Sequence, residues 1–535
     1  MARRISLFDT TLRDGAQTQG VDFSVNDKIA IAHALDELGI DYIEGGWPGA
    51  NPTDDAFFAD PPALKHAKLT AFGMTRRAGR SAANDPGLTA VLSGDVAAVC
   101  LVGKCWDFHV DVALEISQEE NIAMIAESVA RAAASGKEPV FDAEHFFDGY
   151  KADPDFALAC ATAAHEAGAR WVVLCDTNGG SLPSEVGRIV GQVSAHIPGD
   201  KLGIHAHNDT GNAVAISLAA VEAGATQVQG TINGVGERCG NTNLIALIPT
   251  LAKKYDGAYE TGIGDDQLHR LTHVSRLLDE LLNRAPDPHA AYVGDAAFSH
   301  KGGLHVSAVQ KNPATYEHID PELVGNRRHI VVSDQGGRAN VLARLDEMGL
   351  HVEPDDARVA SLVDDVKEKE HQGYSYDGAE ASFELMAHRA LGDVPDFYEV
   401  ISLRTEVERR HNAKGELVTV SQAVIKIRVG GEEVMKAAEG NGPVDALDAA
   451  LRAALLPTYP ELADVRLVDF KVRILTPQQG TAAITRVMIA SADTSGRRWS
   501  TVGISPNIID AAYEALSDAI THKIYASRVA GKAVA

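Results

Sequence analysis

Short β-branched runs alternate with Ala/Leu/Glu-rich stretches through the first 265 residues, and this beat constrains the fold more than any other feature of the sequence. Strand candidates fall at Ile5–Thr10, Tyr42–Trp47, Leu69–Thr75, Val96–Val102, Pro139–His145, Trp171–Thr177, Leu202–His207 and Gln227–Asn233. Helical patterns lie between them, among them Asn26–Leu38, Gln118–Ala134, Asp155–Ala167, Pro183–His196 and Asn212–Ala223. Parallel strands need a crossover of a dozen or more residues, usually a helix, and the spacing supplies one. Eight such units in about 250 residues predict an α/β fold of the closed (β/α)8, or TIM barrel, kind. A doubly wound sheet is the rival, but its first strand usually enters a Gly-rich phosphate turn. Here the first strand enters Thr10-Thr11-Leu12-Arg13-Asp14-Gly15 instead.

The beat stops after residue 265. A helix is predicted over Asp266–Leu282, broken by the Pro-containing Arg284–His289, with further helices at Arg338–Met348 and Asp355–Gly373. Between them lies a motif-dense stretch, Phe298–Tyr316. We read 266–395 as helical linker subdomains that contribute to the site. From 396 to 535 the pattern changes again. Strands at Tyr398–Glu408, Ser421–Val429 and Glu433–Glu439 precede a helix at Pro443–Leu455. Strands at Val465–Leu475, Ala482–Ala492 and Arg498–Ile504 precede a helix at Asn507–His522. This is one β-β-β-α unit written twice, an α+β module. Few candidate catalytic groups fall in it, so regulation or dimerisation is its expected role.

Composition narrows the partners. A net charge of −25 over 535 residues speaks against nucleic acid or an anionic membrane. It leaves room for an anionic substrate, because a local Arg and a metal outweigh a distant field. No apolar run approaches the roughly 20 residues that span a bilayer. The N-terminal Met1-Ala2-Arg3-Arg4-Ile5 has no apolar signal region, so a cytoplasmic protein is expected. Five cysteines without a C-x-x-C pair read as reduced thiols.

Three clusters carry chemistry: Arg13-Asp14 beyond strand one, His205-Ala206-His207 ending strand seven, and Gly234–Asn241 after strand eight. A closed barrel makes strands seven, eight and one neighbours, and barrels keep their active sites at the carboxyl ends of strands. His205 and His207, two apart on a strand, face the same side. With Asp14, and the Asn241 amide as a plausible fourth ligand, they form an open N/O set suited to a catalytic divalent metal. The competing reading is two packed core histidines. Arg13 is placed to bind a carboxylate and to stabilise a developing oxyanion. Thr177 is placed to hydrogen-bond a substrate carboxylate, or else only caps a turn. Glu144 ends strand five, where a carboxylate handles a proton or forms a structural ion pair. Cys239 has no paired base and is not expected to be a nucleophile. His305 and Tyr316 lie outside the barrel, and residue type alone does not separate function from packing there.

Asp9–Gln17 (DTTLRDGAQ), His205–Ala225 (HAHNDTGNAVAISLAAVEAGA) and Gly230–Leu244 (GTINGVGERCGNTNL) resemble the DRE-type barrel enzymes of the 2-isopropylmalate, homocitrate and citramalate synthase family. The doubled tail resembles that family's leucine- or isoleucine-sensing domain. Tyr42–Pro52 and Phe298–Ile319 resemble the citramalate branch. The resemblance implies condensation of acetyl-CoA with pyruvate, then thioester hydrolysis to citramalate and CoA. It implies a divalent metal (zinc or manganese, with magnesium less suited) on Asp14, His205 and His207, with Asn241 nearby or ligating. It gives Arg13 and Thr177 to the oxo acid, and Glu144, His305 and Tyr316 to proton transfers. His305 and Tyr316 would reach over a partner subunit's barrel in a homodimer, and isoleucine or leucine would be the feedback effector. After Glu144 the chain reads His145-Phe146-Phe147-Asp148, where the family more often has acidic residues. Rival readings are a synthase using 2-oxoisovalerate or 2-oxoglutarate, a CoA lyase on the same barrel, and a non-catalytic sensor.

Overall fold

The computed structural model describes residues 2–333, 336–392, 394–411 and 413–533. Eight parallel strands close into a barrel: β1 (Ser6–Asp9), β2 (Tyr42–Gly46), β3 (Lys68–Met74), β4 (Ala98–Lys104), β5 (Glu138–Glu144), β6 (Trp171–Asp176), β7 (Leu202–Ala206) and β8 (Gln227–Gly230). The seam closes where Leu7 of β1 pairs with Val228 of β8 and Asp9 with Gly230. Alternation of sequence becomes alternation of layers inside the barrel. Phe8, Tyr42, Phe72, Ala98, Val140, Trp171 and Val173 form an apolar inner cluster. Full burial of each large side chain there contributes roughly 1.5–3 kcal/mol. Two residues further along the strands, polar groups replace it: Glu44 after Tyr42, Asp142 after Val140, and His205 and Gln229 on β7 and β8.

The helix Val25–Leu38 starts where Ser24 and Asp27 form a reciprocal capping box. Gln118–Ala134 starts on Ser117, whose hydroxyl accepts from the Glu120 N–H. Two predicted elements differ. β8 ends at Gly230, short of Asn233, because the chain turns there: Asn233 takes φ 56°, and a Cβ on residue 230 would lie 2.4 Å from the Thr242 carbonyl oxygen. The predicted Asp266–Leu282 helix is two, Asp265–Leu268 and Leu271–Leu281. The backbone flattens at Arg270 (ψ −9°), and both Leu268 and Leu271 are buried.

The chain packs as two units, one running to Phe298 with His318–Arg328, the other comprising Ser299–Glu317 and the residues from His329 onward. In the second, β9 (Tyr398–His411), β10 (Leu417–Val429) and β11 (Glu432–Gly440) form an antiparallel sheet followed by the helix Pro443–Leu455. β12 (Arg466–Ile474), β13 (Thr485–Ala492) and β14 (Arg498–Ser505) repeat the arrangement before the helix Ile508–Ala533. Both repeats share one core, in which Ile425, Ile427, Leu447, Leu451, Val487, Ile489, Leu516 and Ile520 are buried. Among the described residues, no helix is long and apolar enough to cross a membrane.

Candidate active site

Asp14 leaves β1 just ahead of the short turn Gly15–Gln17, and its N–H donates to the Thr10 hydroxyl at 3.2 Å. His205 lies on β7 and His207 just beyond it; an isolated bridge pairs His207 with Asn241, and the Thr242 N–H donates to the Ala206 carbonyl at 3.0 Å. These contacts bring the sequence-distant groups together. His205 Nε2 lies 3.6 Å and His207 Nε2 3.9 Å from Asp14 Oδ2, and the two ring nitrogens are 3.3 Å apart. The Asn241 Nδ2 amide nitrogen, a donor and not a ligand atom, lies 3.2 Å from His205 Nε2, so the spacings of Asp14 and the two histidines are the ones that bear on a cation. Ligands held at about 2.1 Å in tetrahedral array stand roughly 3.4 Å from one another, so these spacings suit one cation. Among the described residues, buried Asp14 Oδ1, Asn241 Oδ1 and His207 Nδ1 have no hydrogen-bond partner. Gly236 is required beside them, since a Cβ there would meet Asn241 Oδ1 at 2.0 Å.

The electrostatics agree with that donor set. Burial opposes ionisation of Asp14, but Arg13, His205 and His207 outweigh it and hold the carboxyl at about 2. Burial, reinforced by His205, lowers His207 to about 4. A carboxylate beside a neutral imidazole is the ligand form of both groups.

Arg13 is gripped from two sides. Nε donates to Glu44 Oε2 at 2.6 Å and Nη1 to Asp14 Oδ2 at 3.1 Å, with the guanidinium 3.9 Å over the Phe72 ring. Nη2 makes no hydrogen bond among the described residues. Thr177 follows β6, and its hydroxyl oxygen accepts the His145 N–H at 2.8 Å. Glu144, ending β5, is ion-paired to Lys104 at 2.5 Å. It lines a cavity of about 270 Å³ with Trp47, Met74, Leu88 and Leu114. His305 and Tyr316 belong to the second unit, where they stack on each other with ring centroids 4.1 Å apart, both exposed. Cys239 is exposed, and the other four cysteines are buried and unpaired.

Sequence reasoning passed over Glu44, Lys104, Asp142 and Gln229. Glu44 Oε2 takes hydrogen bonds from both Thr10 and Arg13, so it positions the guanidinium. The signal was present: a lone carboxylate inside the β-strand run Tyr42–Gly46, which only a barrel interior with a cationic partner tolerates.

A closed parallel barrel bearing a buried His/His/Asp group at its carboxyl rim defines an HMGL-like catalytic domain, and residues 4–277 match the family model of that description. Residues 292–373 match a homocitrate synthase post-HMGL domain, and 377–524 the LeuA allosteric (dimerisation) domain. An (R)-citramalate synthase of Geobacter sulfurreducens is 51% identical over 525 residues, covering 98% of each chain. Another from Synechocystis is 48% identical over 96% of this chain and 95% of its own. A probable 2-isopropylmalate synthase of Methanopyrus kandleri is 35% identical over 96% of this chain and 97% of its own. The chain belongs to the citramalate synthase branch of the 2-isopropylmalate and homocitrate synthase family.

Proposed function

We propose that this enzyme condenses acetyl-CoA with pyruvate and water to give (R)-citramalate and CoA. One observation carries the chemistry: Asp14, His205 and His207 present their donor atoms within 4.8 Å of one another, all buried. With Asn241 they would hold a divalent cation, zinc or manganese before magnesium. When bound, that cation supplies Lewis-acid charge to the oxo acid's oxygens. Preference for pyruvate rests on the full-length likeness to (R)-citramalate synthases at 51% and 48% identity, against 35% for the 2-isopropylmalate relative.

Arg13 has Nη2 to spare for the substrate carboxylate and for the alkoxide that forms as the new carbon–carbon bond closes. Thr177 orients the carboxylate. Glu144 removes a methyl proton from the acetyl thioester, and the resulting carbon adds to the oxo carbon. Water then cleaves the thioester and CoA leaves. His305 and Tyr316 would serve the proton transfers around these steps by reaching over a partner subunit's barrel, as the family resemblance implies. The segments 1–265, 266–395 and 396–535 act as catalytic, linking and regulatory parts. We extend the proposal to a cytoplasmic homodimer inhibited by isoleucine or leucine. Its support is the LeuA dimerisation match and the exposed apolar Val407, Val424, Met435, Val472 and Ile474 on the tail sheets.

The test is a substrate panel. Metal-loaded enzyme is given acetyl-CoA with pyruvate, 2-oxoisovalerate or 2-oxoglutarate, and free CoA is followed. Pyruvate is expected to show the highest kcat/KM. Faster turnover of either larger oxo acid overturns the reading.

A further inference from the structure

We infer that Gln229 is a positioning residue that sets the tautomer of His205, and that Asp142 sets Gln229 in turn. The inference rests on the reading of Asp14, His205 and His207 as a cation site. Strand register places Gln229 of β8 directly beside His205 of β7. His205 Nδ1 lies 2.7 Å from Gln229 Oε1, and Gln229 Nε2 donates to Asp142 Oδ1 at 2.8 Å. All three residues are buried, with 4%, 1% and 3% of their surfaces exposed.

The direction of this chain follows from what each group can do. A carboxylate oxygen only accepts, so Asp142 holds the NH2 end of Gln229 toward itself. That turns the amide oxygen toward His205, and an amide oxygen also only accepts. A neutral imidazole carries one N–H and one lone pair, so the proton must lie on Nδ1. The lone pair then lies on Nε2, the atom facing Asp14 and His207. Reversing Gln229 would press its oxygen against the Asp142 carboxylate and put the lone pair of His205 on the wrong nitrogen. Three strands, β5, β8 and β7, thereby prepare one donor atom before any cation arrives. A carboxylate alone beside a ligand histidine performs this task elsewhere; here an amide relays it from a carboxylate on β5, a strand paired with neither β7 nor β8.

The test uses the full-length protein stripped of metal, titrated with zinc against a chromophoric chelator. Gln229→Met keeps length and loses the acceptor; it should weaken zinc binding by about 10- to 100-fold. Gln229→Glu paired with Asp142→Asn keeps an acceptor toward His205, sets an amide NH2 against the new carboxylate, and should bind close to wild type. Saturating zinc should restore turnover to Gln229→Met, which a packing defect would not allow. Should Gln229→Met fail to fold, Asp142→Ala, which frees the amide to reverse, must weaken zinc binding instead. Nitrogen NMR of labelled histidine in the metal-free wild type should report a protonated Nδ1 and a bare Nε2 on His205. Wild-type affinity in Gln229→Met, a Gln229→Glu/Asp142→Asn double variant no better than Gln229→Met, or a proton on Nε2 overturns the inference. A wild-type protein that takes up neither zinc nor manganese would instead overturn the cation site itself, while the NMR arm still reads the tautomer.

Discussion

Two buried polar clusters, one in the doubled tail and one at the barrel rim, are built differently. In the tail, Asp493 is satisfied: its carboxylate accepts from the Ser495 hydroxyl at 2.5 Å, the Arg497 N–H at 3.2 Å and Lys523 Nζ at 3.0 Å. At the barrel rim, Asp14, Glu44, His207 and Asn241 crowd together and each keeps a buried polar atom without a partner. The Asp493 cluster serves folding; the rim cluster is the one proposed to hold a cation.

Substitution should separate the two. Asp14→Asn should cost most in chemistry, lowering citramalate formation by about 10³-fold, as loss of several kcal/mol of charge stabilisation implies. Its metal-free melting temperature should stay near wild type, and a collapse in stability would place Asp14 with the structural pairs. Arg13→Ala follows. Turnover should fall about 10²- to 10³-fold with a smaller change in KM for pyruvate, and a raised KM alone would deny it a part in the transition state. Asp493→Ala comes last in its effect on catalysis, with turnover per folded enzyme unchanged, but should cost about 2 kcal/mol of tail stability, since buried Lys523 loses one of two carboxylate partners and keeps Asp464.

That last loss should depend on pH in a fixed direction. The Ser495 hydrogen bond and then Lys523 hold the Asp493 carboxyl below its ordinary range. A depressed carboxyl contributes stability above its unfolded value near 3.9, and the contribution drains away as pH falls below it. Denaturant unfolding should therefore show a wide gap between wild type and Asp493→Ala at neutral pH that closes in acid. A gap of constant width would mean that packing, not the ion pair, is lost.

Much of the architecture was legible because it is local. Each β-branched run followed by a helical stretch announces itself, and a closed ring of such units brings Arg13, Asp14, His205 and Asn241 to one rim by connectivity alone. Strand ends were less legible, since Gly230 ends β8 only because the Thr242 carbonyl passes so close. Glu44, Asp142 and Gln229 were missed for a different reason. Glu44 is a lone polar letter in its strand, Asp142 shares β5 with Glu138 and Glu144, and Gln229 shares β8 with Gln227; the partners of each come from other elements, so only the folded barrel pairs them. The Lys104 contact of Glu144 is of the same kind, two strand ends meeting in register.

The bond from the His145 backbone to Thr177 has one more consequence. It occupies a lone pair on the hydroxyl and leaves its single hydrogen to point elsewhere. One lone pair is left, so the oxygen can accept once more, while the hydrogen is free to donate to an electron-rich oxygen. In the proposed site that hydrogen is what Thr177 would offer a substrate carboxylate, and a main-chain contact that never touches the substrate leaves it free to do so.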